Sequence, residues 1–418
     1  MKKRYIVLFL LVVLSAITFL DRLSIAVSGP LIQDRLHISP ERWGWVLGAF
    51  VISCGLFEIP SGAMGDRRGQ RHELTRIVAW WSVFMAATAA CFSFWQLVVV
   101  RFLFGAGEAG AYPNASGVVS RWFPAMERAR AQSFIWAASR FGGVITPLLV
   151  IPLQTRIGWR AVFVLFGVLG LAWAAAWRIF FHDSPCEQPG IDPSELDDIA
   201  KGGQSPSKNS IPWKRLFSSH QLWIVSIAYS CYAWGSWFYF SWFPSWMVRS
   251  AGFSERQMGF FAALPFLCGM AGNVAGGFVS DTLVKSYGLK FGRRVVLSSA
   301  LIVTSAMLLG MSMATDKLAV VVLACLGFGV MDLMLPSAWS LCLDIGGEFA
   351  GTVTGVMNTA GQLGGVLCTV SFGYIIKMTG SYNKPLKLVA FMVLCSALIF
   401  ARVDAGKPLI ANTAASAS

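Results

Sequence analysis

Five ionisable residues, Asp21, Arg22, Arg101, Glu108 and Arg140, stand inside runs of otherwise apolar residues. A charge at the centre of a membrane-spanning helix costs about 2.5–3.5 kcal/mol on insertion scales, so such a residue marks a pathway or a partner. Three of the five are arginines, whose planar guanidinium can grip a carboxylate through two parallel N–H···O bonds. The other two are acids that can take up and release protons. The chemistry indicated is capture of an anion coupled to proton exchange. No nucleophile–base pair or metal-ligand spacing accompanies it, so an enzyme, a metal and a cofactor are not expected.

Asp21 and Arg22 are adjacent, so on one helix they point about 100° apart. Arg22 can then be a ligand for a substrate carboxylate and Asp21 a proton carrier; the bland alternative is a structural ion pair. Glu108 is flanked by Gly105, Gly107 and Gly110, which let neighbouring helices approach and shield it from water. It is either a second proton site or a polar clamp between helices. Arg101, seven residues earlier, lies nearly on the same face and either tunes Glu108 or is structural. Arg140 shares a face with Ser133, Trp136 and Pro147. It suits a second acidic group on the substrate or tighter capture of one carboxylate, or else an ion pair with Glu58 or Asp332, two further acids within apolar runs. Later in the chain, Asn358 and Gln362 are spaced i,i+4 on one face and can bind substrate hydroxyls or bond across helices. The aromatic run Trp234–Phe243 can stack on a sugar ring; near Trp242 an interfacial aromatic belt is favoured.

The elements that must hold these residues are membrane helices. The 418 residues are 56% hydrophobic and 13% charged, whereas a soluble domain carries about 25% charged residues. Twelve apolar runs, from 5–30 to 386–403, are each long enough to cross a bilayer as a helix. The expected class is an all-α membrane protein. With the N-terminus in the cytoplasm, Lys and Arg fall about twice as often on the cytoplasmic side, which is the positive-inside rule. The net charge of +13 therefore sets topology and points to no nucleic-acid partner. Cleavage of the first run as a signal peptide would discard Asp21 and Arg22. The nine cysteines form no redox or metal spacing.

The runs group six and six. Residues 1–181 form a first half, 182–220 a polar cytoplasmic linker, 221–404 a second half and 405–418 a cytoplasmic tail. Within the linker, Asp192-Pro193-Ser194-Glu195 reads as a helix start, with a capping residue, Pro in the first turn and an acid behind it. The halves repeat a motif. Gly62 to Arg71 (GAMGDRRGQR) closes the second run; Gly277 to Asp281 (GFVSD), followed by Gly292-Arg293-Arg294, closes the eighth. Such repeats place a binding site near the midplane between the halves. In the first copy, Gly62, Asp66, Arg67, Gly69 and Arg71, with Arg101, are candidates for gating.

The 62–71 motif and Arg101-x-x-x-Gly105 resemble the major facilitator superfamily. Asp21-Arg22, the block Glu108 to Pro113 (EAGAYP), and Trp122-Phe123-Pro124 followed by Glu127-Arg128-Ala129 resemble its anion:cation symporter family. That family includes bacterial galactonate and hexuronate proton symporters and mammalian vesicular glutamate and sialic acid transporters. The resemblance implies a twelve-helix major facilitator fold and proton roles for Asp21 and Glu108. It further implies carboxylate binding by Arg22, a ligand role for Asn358, and a cytoplasmic latch in the 62–71 motif. Arg140 departs from the galactonate-type pattern, and Phe19 stands where some relatives carry tyrosine.

The expectation is proton-coupled symport of a small organic anion, a sugar acid or related carboxylate, across a bacterial inner membrane. Its partners are the anion, protons and lipid, with a monomer sufficient. An exporter, an uncoupled facilitator or exchanger, and a non-transporting sensor are the alternatives.

Overall fold

The computed structural model describes residues 2–123, 125–200, 213–346, 350–407 and 409. Among them there are helices and no strands. In chain order they are α1 (Lys3–Val27), α2 (Gly29–Leu36), α3 (Pro40–Arg68), α4 (Gln70–Thr88), α5 (Phe94–Glu108), α6 (Ala111–Trp122), α7 (Ala125–Phe180), α8 (Pro193–Ala200) and α9 (Trp213–Ser218). Then come α10 (His220–Trp237), α11 (Phe243–Arg249), α12 (Glu255–Phe261), α13 (Ala263–Met313), α14 (Lys317–Leu333), α15 (Leu335–Gly346), α16 (Ala350–Thr379) and α17 (Asn383–Phe400).

About 20 residues suffice to cross a bilayer, and six stretches are long and apolar enough to do so. Two of them, Ser133–Phe180 with 48 residues and Glu255–Met313 with 59, are long enough for two passes. Each is broken at a glycine of positive φ, Gly158 at 80° and Gly288 at 81°, a conformation that an L side chain resists. The charged α3 and α4, the α5–α6 pair and α10 are further helical segments of a length that fits the expected twelve-helix class.

Proline sets the break between α5 and α6. Pro113 has no N–H for the carbonyl four residues back, and the helix is interrupted at Ala109–Gly110, just after Glu108. Pro336 does the same in the second half, where α14 ends at Leu333, just after Asp332.

Backbone contacts divide the chain into two units, Met1–Pro206 with Phe253–Ala263, and Ser207–Gly252 with Leu264–Ser418. In the first unit α1 and α4 both lie along α7, and α3 lies along α5. The helices meet at small residues. A Cβ on Gly142 would stand 2.5 Å from the Ala16 carbonyl oxygen, and one on Gly105 would stand 2.6 Å from that of Phe50. Lipid offers no hydrophobic force between helices, so this close packing is what associates them.

In the second unit α10 runs along α16 and α17, opening into a π turn over Phe238–Trp242. The expected aromatic belt near Trp242 is not found. Trp242 is fully buried, stacks on Phe372 at 4.9 Å and donates its Nε1–H to the Thr369 carbonyl at 3.0 Å. A belt tryptophan would leave its N–H for water; this one is satisfied inside the unit.

The linker helix begins where its sequence indicates. Ser194 N donates to Asp192 Oδ1 at 2.8 Å, and α8 follows. Glu195 serves another helix: its carboxylate accepts the backbone N–H groups of Lys3 and Arg4, each at 2.9 Å. Lys2 Nζ pairs with Asp198 at 2.8 Å beside it. The α1 N-terminus has no side-chain cap of its own, so α8 supplies acceptors for orphan donors and a negative charge for the helix dipole. Residues 201–212 of the linker and most of the tail lie outside the described residues.

Candidate substrate and proton site

The charged residues of the first apolar runs converge in the first unit from α1, α5 and α7. Arg22 Nε donates to Glu108 Oε1 at 3.0 Å, and Arg22 Nη2 donates to the same oxygen. Glu108 Oε2 accepts nothing. The arginine side chain keeps 17% of its exposure while the glutamate keeps 1%, so one end of the pair reaches outward and the other is sealed. Three glycines seal it: Gly105 faces Ser53 and Phe50 of α3, Gly110 faces Ser61 of α3, and Gly107 faces Trp80 of α4.

Asp21 does not pair with its neighbour. It is fully buried, and neither carboxylate oxygen has a hydrogen-bond partner. Trp81 Nε1 on α4 is turned towards the Asp21 carboxylate without a well-formed hydrogen bond, and Ser82 Oγ beside it is buried and unbonded. The self-neutralising Asp21–Arg22 ion pair is therefore absent; the roughly 100° turn between adjacent residues sends one side chain to Glu108 and the other elsewhere. Arg101 is covered by two rings, its Cζ 4.3 Å from the Phe104 centroid and 5.0 Å from that of Phe50. Its Nε and Nη1 have no hydrogen-bond acceptor.

Phe19 joins two of the arginines. Arg22 Cζ lies 5.1 Å from the Phe19 centroid and Arg140 Cζ lies 5.8 Å from it, within the range of cation–π attraction. Tyr112 completes this wall. Its ring lies flat on Trp136, 4.8 Å apart and inclined by 3°, and its hydroxyl is 3.1 Å from Ser15 Oγ. Ser15 in turn donates to the Ile135 carbonyl at 2.7 Å. Glu58 is half-buried on α3.

The 62–71 motif is anchored within the first unit. Gly62 packs on Pro113, and Gly65 approaches Asn114 so closely that no Cβ fits. Gly69 has φ 86° and lies against the Asp183 carboxylate. Arg71 N donates to Asp183 Oδ1 at 3.0 Å, and its guanidinium donates to the Arg178 carbonyl at 2.8 and 3.1 Å. The side chains of Asp66, Arg67, Glu127 and Arg128 lie outside the described residues.

The second unit repeats that fastening. Arg294 Nε donates to the Val403 carbonyl at 2.7 Å, and Asp404 pairs with Lys290 at 2.8 Å. Arg293 bonds Asp344 at 3.0 Å and Ser280 at 2.6 Å. Asn358 and Gln362 lie on α16, and Gln362 Oε1 is buried without a donor. Beside them α16 meets α10 at Gly361, which faces Tyr229, and at Gly365, which faces Trp237. Asp332 is fully buried on α14, its carboxylate turned to Gly269 of α13.

The sequence profile of the Major Facilitator Superfamily matches residues 11–369. The chain belongs to the major facilitator superfamily. Its relatives are transporters of the anion type. It is 35% identical to the probable sulfoacetate transporter SauU of Cupriavidus necator, over 92% of this chain and 90% of that one. Identity is 30% with the hexuronate transporter of Bacillus subtilis, over 97% of each chain. It is also 30% with the probable galactarate/D-glucarate transporter GudP of the same organism, over 95% of this chain and 91% of the other. In fold, the chain matches the crystal structure of a bacterial homologue of the human lysosomal transporter Spinster. The TM-score is 0.79 at 17% identity, covering 95% of this chain and 96% of that one.

Within this major facilitator chain, several site residues escape a reading by sequence alone. Tyr112 and Ser15 look like helix filler until the wall at Phe19 forms. Asp183 is one acid among many in a polar stretch, and only its approach to Gly69 and Arg71 singles it out. Glu195 reads as part of its own helix start, and its partner lies 191 residues away.

Proposed function

We propose that this protein is a proton-coupled symporter of a small organic anion, a sugar acid or related carboxylate, working by alternating access. One observation carries the reading: Arg22, the best placed carboxylate ligand, is held by Glu108. A guanidinium presents one bidentate edge most favourably to a carboxylate, so Glu108 and a substrate acid compete for it. Protonation of Glu108 removes the competing charge and leaves Arg22 to the substrate. Release of that proton restores the pair and expels the anion. Binding and proton loading are thereby linked through one side chain.

Asp21 is the second proton carrier in this scheme. A buried carboxylate with no cation bonded to it, facing only the Trp81 indole N–H, is costly as an anion and much less so as the neutral acid. Its isolation from Arg22 lets it take up and release a proton without breaking an ion pair. The substrates for which the relatives are named, sulfoacetate, hexuronate and galactarate or glucarate, favour an acidic cargo. Asn358 and Gln362 are proposed to bind substrate from the second half. Gly62, Asp66, Arg67, Gly69, Arg71 and Arg101 are proposed to serve gating, the motif by moving as a rigid fastened corner. The halves are taken as 1–181 and 221–404, joined by a cytoplasmic linker at 182–220 and followed by a cytoplasmic tail at 405–418. The site of action is taken as a bacterial inner membrane with both termini cytoplasmic.

The test is reconstitution into liposomes carrying an internal pH dye, with addition of aldonates, uronates, aldarates, simple dicarboxylates and neutral sugars. Internal acidification with one acidic class, and none with neutral sugars, is expected. Anion uptake without acidification would make the protein an uncoupled facilitator or exchanger.

A further inference from the structure

We propose that Trp81 is a positioning residue for proton transfer at Asp21, its indole N–H closing on the carboxylate once the acid has given up its proton and letting go when the proton returns. The proposal deepens the transport reading above by naming what regulates that site, and it rests on that reading for its role in uptake.

The pair joins α1 to α4. Asp21 and Trp81 are both wholly buried, and the indole Nε1 is turned towards the carboxylate. Neither is bonded elsewhere: Asp21 Oδ1, Asp21 Oδ2 and Trp81 Nε1 are all without a well-formed hydrogen bond. A buried donor and a buried acceptor that face one another have both given up water, so closing the bond recovers what each lost. The packing holds them in reach. A Cβ on Gly170 of α7 would stand 3.6 Å from Trp81 Nε1 and 2.1 Å from Ser82 Oγ, and one on Gly167 would stand 2.6 Å from the Ser82 carbonyl oxygen. Three residues beyond Gly170, Trp173 donates its Nε1–H to the Leu10 carbonyl of α1 at 2.9 Å. One stretch of α7 therefore lies against both helices and fixes α1 relative to α4.

The chemistry of the donor decides what the contact does. An indole nitrogen donates and never accepts, a carboxylate only accepts, and a carboxylic acid keeps a donor of its own. The N–H therefore favours the ionised acid, through a charge-assisted bond. One such donor is an intermediate provision. A carboxylate given two or three N–H groups stays ionised, and one given none in an apolar interior stays protonated. A hydroxyl would not discriminate, since it turns to donate or to accept. The charged groups acting on Asp21 are Glu108 and Arg101, both of α5 and of opposite sign. Arg22 is engaged by Glu108, Arg140 of α7 lies by the Phe19 ring, and Tyr112 of α6 lies beside Ser15. Among the described residues, that leaves Trp81 as the donor turned to Asp21.

The experiment is a pH titration of the purified full-length chain, with no proton gradient. It follows the infrared band of the Asp21 carboxylic acid, identified by its absence from Asp21→Asn, and the indole N–H signals of isotope-labelled tryptophan. In the unmodified protein one indole signal is expected to move with the same midpoint as that band, and to stand still in Asp21→Asn. Trp81→Phe keeps an aromatic ring and removes the donor. The Asp21 band should then persist to higher pH, with a midpoint raised by about one pH unit or more, a change of about tenfold in proton affinity. A purely structural tryptophan would lower the unfolding midpoint and leave the titration where it was.

An unchanged Asp21 midpoint in folded Trp81→Phe would overturn the proposal. Should that variant not fold, the unmodified chain decides: if no indole signal follows the Asp21 midpoint, the proposal is overturned as well. A raised midpoint in Trp81→Phe, together with liposomes that take up the anion without acidification, would sustain the pair and sink proton coupling alone. An unmoved midpoint with acidification intact would do the reverse.

Discussion

Arg22 and Glu108 are hydrogen-bonded to one another between α1 and α5, with Arg22 Nε 3.0 Å from Glu108 Oε1, and the adjacent Asp21 is left without a hydrogen bond. The two acids of the candidate site therefore differ in their partners. Glu108 is tied to Arg22 and Asp21 is not.

Glu108→Gln keeps the size of the side chain and removes the charge that holds Arg22. Anion binding should persist and lose most of its dependence on pH, while uptake driven by a pH gradient falls by about a hundredfold or more, the range for a lost proton-transfer group. Binding measured across pH 5–8 beside gradient-driven flux checks this. Unchanged pH dependence in both would remove Glu108 from the coupling route.

Asp21→Asn should separate stability from function. A buried amide costs less than a buried carboxylate anion that no cation pairs. The thermal midpoint in detergent is expected to hold or rise, and concentrative uptake to be lost while counterflow of labelled substrate survives. A variant that loses counterflow as well would assign Asp21 to substrate binding.

Gly142→Ala tests the spacing of α1 and α7. The added methyl meets the Ala16 carbonyl at 2.5 Å, a backbone atom that cannot swing aside, so α7 must move. Overpacking of this kind costs about 1–3 kcal/mol. A lower unfolding midpoint is expected, together with weaker anion binding because Arg140 shifts relative to Phe19. Normal binding with lowered stability would show that the arginine spacing is not set here.

Glu195 is expected to anchor α1. Glu195→Ala leaves the Lys3 and Arg4 N–H groups without their acceptor, at about 1 kcal/mol for a lost N-terminal cap. Glu195→Gln, which keeps one accepting oxygen, should cost less. Hydrogen exchange of the first turn of α1 would report the difference, with faster exchange in the order wild type, Gln, Ala.

Asp404 provides a pH prediction outside the membrane. Its hydrogen bond to Lys290 holds its carboxyl below the ordinary carboxylate range. A depressed carboxyl stabilises the fold above the unfolded-state value and loses that contribution as pH falls through the folded one. The Lys290–Asp404 fastening should thus be intact at neutral pH and weaken progressively as pH falls below about 4. Because the pair is exposed, the effect should be small and weakened by salt. Comparing unfolding midpoints of wild type and Asp404→Asn at pH 7 and at stepwise lower pH measures it: the variant's deficit should be largest at pH 7 and shrink as pH falls below about 4.

Much of this architecture was legible in the chain itself. The apolar runs predict the passes because a bilayer admits only segments that satisfy their own backbone hydrogen bonds. Gly158 and Gly288 divide long helices where the apolar runs end, whereas the breaks before Pro113 and Pro336 were not legible, since Pro60, Pro147 and Pro152 sit inside continuous helices. The matched ends Gly69–Arg71 and Gly292–Arg294 announced the repeat, and each has its guanidinium on a carbonyl at the close of its own half. Asp192-Pro193 announced α8.

The placement of charge was not legible. Asp21 and Arg22 are neighbours by sequence, and the spacing alone left an ion pair between them open. Helical geometry turned them apart, and the partner that Arg22 found is 86 residues away. Trp242 had the composition of a belt residue, yet a carbonyl on α16 satisfied its N–H and drew it inside. Glu195 looked like a cap for its own helix and serves another. Composition, period and turn chemistry determine which segments cross and where the long ones divide, because those preferences act within a few residues. Pairing in a low-dielectric interior is decided only when helices pack, because a buried donor takes whichever acceptor the close approach of glycines brings within about 3 Å.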